Sequence, residues 1–148
     1  MTSLDQCVED ILDEIVAEIQ LETGGGTLSE VQSVVRGDRA RPMPKLPAVW
    51  VVPQAAQFRQ DVFGSEEGWT MPVSIAALVK ADDPDTGGRL AQSITARART
   101  AALRARPAGI AVIDVRSDTF DPGARSSERN RNLFWTDATI RVTFTVDE

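Results

Sequence analysis

Asp82, Asp83 and Asp85 form the densest group of oxygen donors in the sequence, and hard cations such as calcium and magnesium bind through such carboxylates. The spacing is not that of an EF-hand loop, whose closing glutamate has no counterpart here. The same acids stand just before a helical pattern, where negative charge complements the positive helix end, so they have a structural reason to be there. Gly87-Gly88 after them has the composition of a phosphate-binding turn. No Gly-Lys-Ser/Thr follows, and the aspartates would repel a phosphate. The sequence has no histidine, so a serine or cysteine nucleophile has no imidazole to activate it. Carboxylate-pair chemistry stays open, since the pairing of acids cannot be read from a sequence. Arg97, Arg99, Arg104 and Arg106 could mark a nucleic-acid surface, but no aromatic residues interleave with them for base stacking, and the solvated side of a helix accounts for them. Cys7, the only cysteine, falls on the apolar side of a helical pattern and reads as a small buried hydrophobe. The expectation is a protein without catalytic residues, cofactor or metal. Trp50, Trp69 and Trp135 remain, each in or beside a strand pattern, either as core or as aromatic anchors of an interface.

Composition narrows the class further. A chain of 148 residues, 42% hydrophobic, suffices for one domain with a core that needs no disulfide or structural metal. Acidic residues outnumber basic ones, 22 to 16, for a net charge of −6, which argues against general duplex binding. Only Lys45 and Lys80 among the basic residues are lysines, a bias that GC-rich codons explain. Asp5, Glu9 and Asp10 near the start are wrong for a signal or transit peptide, and no apolar run is long enough to span a bilayer. The expectation is a soluble protein made in a cytoplasm. Arg36-Gly37-Asp38 spells an adhesion tripeptide but reads as the end of a strand followed by a turn.

The elements that would position these residues follow from periodicity. Leu4, Val8, Ile11, Leu12, Ile15 and Ile19 recur at three- and four-residue steps with acids between them, which predicts an amphipathic helix ended by Gly24-Gly25-Gly26. Residues 27–30 could cap a further helix, but the alternation of Ser29, Val31, Ser33 and Val35 favours a strand stopped by Gly37. Residues 37–47, with Pro42, Pro44 and Pro47, read as an irregular arm. Residues 48–52 are a continuous apolar run between two prolines, consistent with a strand covered on both faces, one cover being another subunit. Trp69, Met71, Val73, Ile75, Ala77 and Val79 alternate with Thr70, Pro72, Ser74, Ala76, Leu78 and Lys80, and Pro72 implies an edge or a bulge near the start. An Asp-Pro turn then caps a helix carrying Leu90, Ile94, Ala98 and Ala101, closed by Pro107 with Arg104 and Arg106 in its last turn. A strand at residues 110–115 continues toward Phe120. A polar loop at residues 121–132 precedes a final strand with Ile140, Val142, Phe144 and Val146 on one face and Thr139, Arg141, Thr143 and Thr145 on the other. The order α-β-β-β-α-β-β predicts an α+β fold, a largely antiparallel sheet with both helices on one face, as a single domain over residues 1–148.

Arg36-Gly37, the run Pro47-Ala48-Val49-Trp50-Val51-Val52-Pro53, Trp69-Thr70-Met71-Pro72-Val73, the Asp-Pro turn with the helix at residues 90–103, and the closing strand pair together resemble the tail terminator proteins of long-tailed bacteriophages. The resemblance covers nearly the whole chain and is one of layout and length. It implies a non-enzymatic virion protein, found at the head-proximal end of the tail and, during assembly, in the host cytoplasm. Its implied partners are further copies of itself in a ring, commonly hexameric, the tail tube protein and a head-side connector. DNA would only pass through the lumen, no membrane is involved, and an acidic lumen would keep the DNA from sticking. Beside this reading, Val49, Trp50 and Val51 are candidate interface residues because their run is apolar on both sides, and Arg125, Arg129 and Arg131 because guanidinium forks pair with carboxylates at interfaces. A related neck or minor tail component shares the layout, and a small bacterial α+β binding or regulatory module is the rival from another class.

Overall fold

The protein is described from a computed structural model that covers residues 3–37, 43–59, 66–110, 113–126 and 132–147. Helix α1 (Leu4–Thr23) exists because its apolar residues share one stripe, and Cys7, Ile11, Leu12, Ile15 and Ile19 along that stripe are almost fully enclosed. It stops at Gly24, and Gly25 takes a positive φ of 105° that a side chain would resist. The Glu22 carboxylate then accepts from both the backbone N–H and the hydroxyl of Thr27 at 3.0 Å, holding the chain as it turns back. Leu28 and Val31 drop into the core from this turn.

The chain continues through β1 (Ser33–Arg36), β2 (Ala48–Pro53), β3 (Gln57–Arg59), β4 (Glu66–Lys80), helix α2 (Pro84–Ala102), β5 (Ile113–Ser126) and β6 (Leu133–Asp147). Among the described residues these strands form one six-stranded sheet of order β1-β2-β4-β6-β5, with β3 set against the first half of β4. Every pairing is antiparallel except β1 with β2. The architecture is α+β, as the periodicity predicts, and both helices join one core on a single face of the sheet. That face carries Val49 and Val51 of β2, Met71, Val73, Ile75, Ala77 and Val79 of β4, and Ile140, Val142 and Phe144 of β6, each at most 1% exposed.

Helix α2 starts as its sequence requires. Asp83 accepts from the Thr86 N–H at 3.0 Å and from its hydroxyl at 2.9 Å, and Pro84 follows in the first turn, where its missing N–H costs nothing. The same contacts, the Thr86 N–H foremost, hold the Asp83 carboxyl below the usual carboxylate range. Gly87 lets the helix lie on β6: a Cβ there would stand 2.3 Å from Cδ2 of Phe134. About two turns further in, the buried Thr95 hydroxyl bridges the two central strands, accepting from Ala77 N–H at 3.1 Å and donating to the Thr136 carbonyl at 3.2 Å. The Thr136 hydroxyl also points to it, at 2.7 Å.

Four expectations need correction. The strand expected from Ser29 onward begins only at Ser33, since residues 27–30 form the turn that Glu22 closes. The three-residue β3 was not expected, and lies within the stretch read as a polar connection. Of the edge or bulge that Pro72 implies, the edge is wrong, since the strand is central, while the pairing is irregular at Pro72: between the pairs Pro53–Val73 and Gln57–Thr70, residues 54–56 stand opposite only Met71 and Pro72. The Pro72 carbonyl accepts from Gln54 N–H at 2.9 Å, where the chain steps out of pairing between β2 and β3, and its missing N–H points to that same interruption. Last, the polar loop expected at residues 121–132 is not a loop at its start. Strand β5 continues to Ser126, pairing Asp121 with Asp137 and Arg125 with Trp135 across two register shifts.

Candidate interaction surface

The helices leave the other face of the sheet uncovered, and register fixes which side chains meet there. Trp50, Ala76, Asp137 and Asp121 stand in one row across β2, β4, β6 and β5, and Leu78, Trp135 and Arg125 stand in the next. In the opposite direction the rows turn polar, with Ser74 beside Thr139 and then Pro72 beside Arg141 and Arg116. The face is therefore graded, apolar toward one end and polar toward the other.

A groove of about 350 Å³ lies in the apolar part. Ala76 and Leu78 of β4 line its middle, Trp50 of β2 lies to one side, and Leu133, Trp135 and Asp137 of β6 lie to the other. Met43, 58% exposed, lines it as well. The small side chain of Ala76 between larger neighbours leaves the hollow. The Trp50 indole N–H is enclosed yet has no acceptor among the described residues, an arrangement that costs on the order of 1–3 kcal/mol.

The described aspartates of β5 and β6 that face this side follow a pattern with one exception. On β5 and β6, Asp114 holds Arg116 at 2.6 Å, Asp118 holds Arg141 at 3.3 Å, and Asp121 holds Arg125 at 2.9 Å. Asp137, half-buried in the groove and directly opposite Asp121, has no arginine and no hydrogen bond among the described residues.

The residues singled out in the sequence are placed as follows. Val49 and Val51 are wholly enclosed in the core beneath the helices, whereas Trp50 between them faces the open side, as Ala48 and Val52 of the same run do. The run reads as apolar on both faces because one face meets the helices and the other borders the groove. Arg125 belongs to strand β5, where it pairs with Asp121, while Arg129 and Arg131 lie outside the described residues. Trp69 donates to Glu67 at 3.1 Å and meets Phe58 edge to face, with ring centroids 5.5 Å apart.

The helical arginines are taken up within the fold. Arg97 reaches the Thr27 carbonyl and Glu30, Arg99 donates to Ser117, and Arg106 donates to the carbonyls of Leu103 and Ala105. Arg104 lies past the end of α2 and reaches Glu22 of α1 at 2.8 Å. Cys7 is 2% exposed, and burial, with Asp10 and Asp5 nearby, pushes its thiol up and keeps it protonated. Among the described residues no three His, Cys, Asp or Glu side chains converge on a point that could hold a metal ion, and no helix is long and apolar enough to cross a membrane.

Sequence reading missed Asp137 and the groove, although a signal existed. The outward set of the last strand extends backward as Asp137, Trp135 and Leu133, a carboxylate and two large apolar groups at positions that a solvent-facing strand would fill with polar residues. Compared with protein-family models and with curated proteins, the sequence matches none.

Proposed function

We propose that this chain is a non-enzymatic assembly protein of a phage tail, resembling the tail terminators: a ring-forming protein, hexameric by that resemblance, that caps the tail tube, ends its polymerisation and offers the surface to which the head-side connector joins. The observation that supports this most is the groove between Trp50 and Trp135, on a sheet face that neither helix covers. Large aromatic side chains in an apolar patch on an open sheet face mark a surface that meets another macromolecule. The exposed edge strand β5 agrees with such a role, since it bears Arg116, Asp118, Asp121, Arg125 and Pro122 together with two register shifts. These features discourage indiscriminate strand pairing and leave side-chain contacts to choose the partner. The net charge of −6 suits a ring through which DNA passes without sticking.

Mass measurement of the protein alone and bound to tail tubes, with electron microscopy of the particles, tests this reading. A ring at the head-proximal tube end is the expected result. A chain that stays monomeric in solution and leaves no density on tubes would refute it and favour the small binding module, for which the same groove would be a ligand site.

A further inference from the structure

We infer that the groove beside Asp137 receives an arginine side chain presented by a basic segment of a partner protein. The groove would take this side chain whether or not the protein acts on a phage tail. Its lining is apolar apart from one carboxylate, and that carboxylate is the exception to a rule the neighbouring strands obey: Asp114, Asp118 and Asp121 each hold an arginine, and Asp137 holds none among the described residues. The nearest arginine across the strand pair, Arg125, is already held by Asp121. A half-buried carboxylate among apolar neighbours is left without the partner that such a site requires.

An occupant must therefore bring positive charge on an apolar stem. Arginine has both, and its planar guanidinium also stacks on indole rings, two of which, Trp50 and Trp135, line the groove from opposite sides. The volume of about 350 Å³ takes one such side chain and part of its backbone. Overall charge favours a basic partner over a second copy, because two chains of net charge −6 repel at long range while a basic segment is attracted.

The test uses the full chain labelled with nitrogen-15 and follows the three tryptophan indole N–H signals. The probes are acetyl-Gly-Arg-Gly-amide, its citrulline counterpart, which is nearly isosteric but neutral, and its norleucine counterpart, which is apolar. The arginine peptide should shift the signals of Trp50 and Trp135 saturably and leave that of Trp69 in place. Citrulline should bind about tenfold more weakly, the worth of a charge-assisted contact. Asp137→Asn should remove the preference for arginine while the remaining backbone signals keep their folded positions, and Asp137→Glu should restore part of it. Equal binding of arginine and citrulline, or binding of norleucine as tight as arginine, would overturn the inference in favour of an apolar occupant. Shifts of Trp50 and Trp135 produced by raising the protein concentration alone would overturn it in favour of a second copy.

Discussion

The two faces of the sheet are made by the same strands, and they differ in what accounts for their side chains. Beneath the helices, Val51, Ile75, Ile140 and Phe144 are wholly enclosed, and each removes apolar surface from water within one continuous core. On the other face Trp50, Ala76, Trp135 and Asp137 are half-buried with no helix over them. The first face is complete in the isolated chain. Among the described residues the second carries an indole N–H without an acceptor and a carboxylate without an arginine, and neither helps this chain to fold. Folding thus accounts for the first surface and leaves these two groups of its reverse unexplained.

The largest effect should come from deleting an aromatic side chain on each of the two sides. Phe144→Ala should cost about 3–5 kcal/mol in a urea titration, because it empties a filled core. Trp135→Ala removes a larger side chain from the open face and should cost about 1–2 kcal/mol, in keeping with partial burial. Equal losses would break the comparison, since both faces would then be core.

Thr95→Val should come next, at about 1–3 kcal/mol, because the hydroxyl that takes the Ala77 N–H and serves Thr136 disappears while their burial stays. Thr95→Ser should recover most of the loss. A valine variant as stable as the parent would show that the bridge between β4 and β6 is not needed.

Ala76→Lys sharpens the contrast from the other side. Position 76 lies directly opposite Asp137, so the new ammonium can meet the free carboxylate and fill the groove. The gain should be small, about 0.2–1 kcal/mol, as for other cross-strand charge pairs. Ala76→Glu should lower the melting temperature instead. If lysine and glutamate behave alike, Asp137 does not govern the electrostatics of the groove.

How much of this was legible in the sequence differs between the faces as well. The enclosed face was readable because burial imposes a period of two on β4 and β6 and a helical period on α1, so that Ile11, Ile75 and Ile140 could be assigned inward positions from spacing alone. The continuation of β5 through Asp121, Pro122, Gly123 and Arg125 was not readable. An exposed edge strand has no apolar alternation, and these residue types favour turns until β6 pairs with them across two register shifts. The groove was hidden for another reason. Trp50, Ala76, Trp135 and Asp137 come from three strands, and only their register brings them together.

The smallest effect concerns the joint between the helices. The Thr27 N–H foremost, and then Arg104, hold the Glu22 carboxyl below the usual glutamate range. A carboxyl depressed in the folded state contributes stability above its unfolded pKa, and the contribution is lost as the pH falls through the folded value. The stability difference between the parent and Glu22→Gln should therefore be present at neutral pH and close on the acid side of the ordinary glutamate range. Urea midpoints measured from neutral pH downward check this, and a pH-independent difference would assign the role of Glu22 to packing.

The most direct test of the assembly account is the length distribution of tail tubes, measured by electron microscopy after tube subunits polymerise with the parent chain, with folded Ala76→Lys, or with no addition. The account predicts short, capped tubes with the parent and long, uncapped ones in the other two cases. Tubes of the same length in all three, or capping by Ala76→Lys as complete as by the parent, would contradict it.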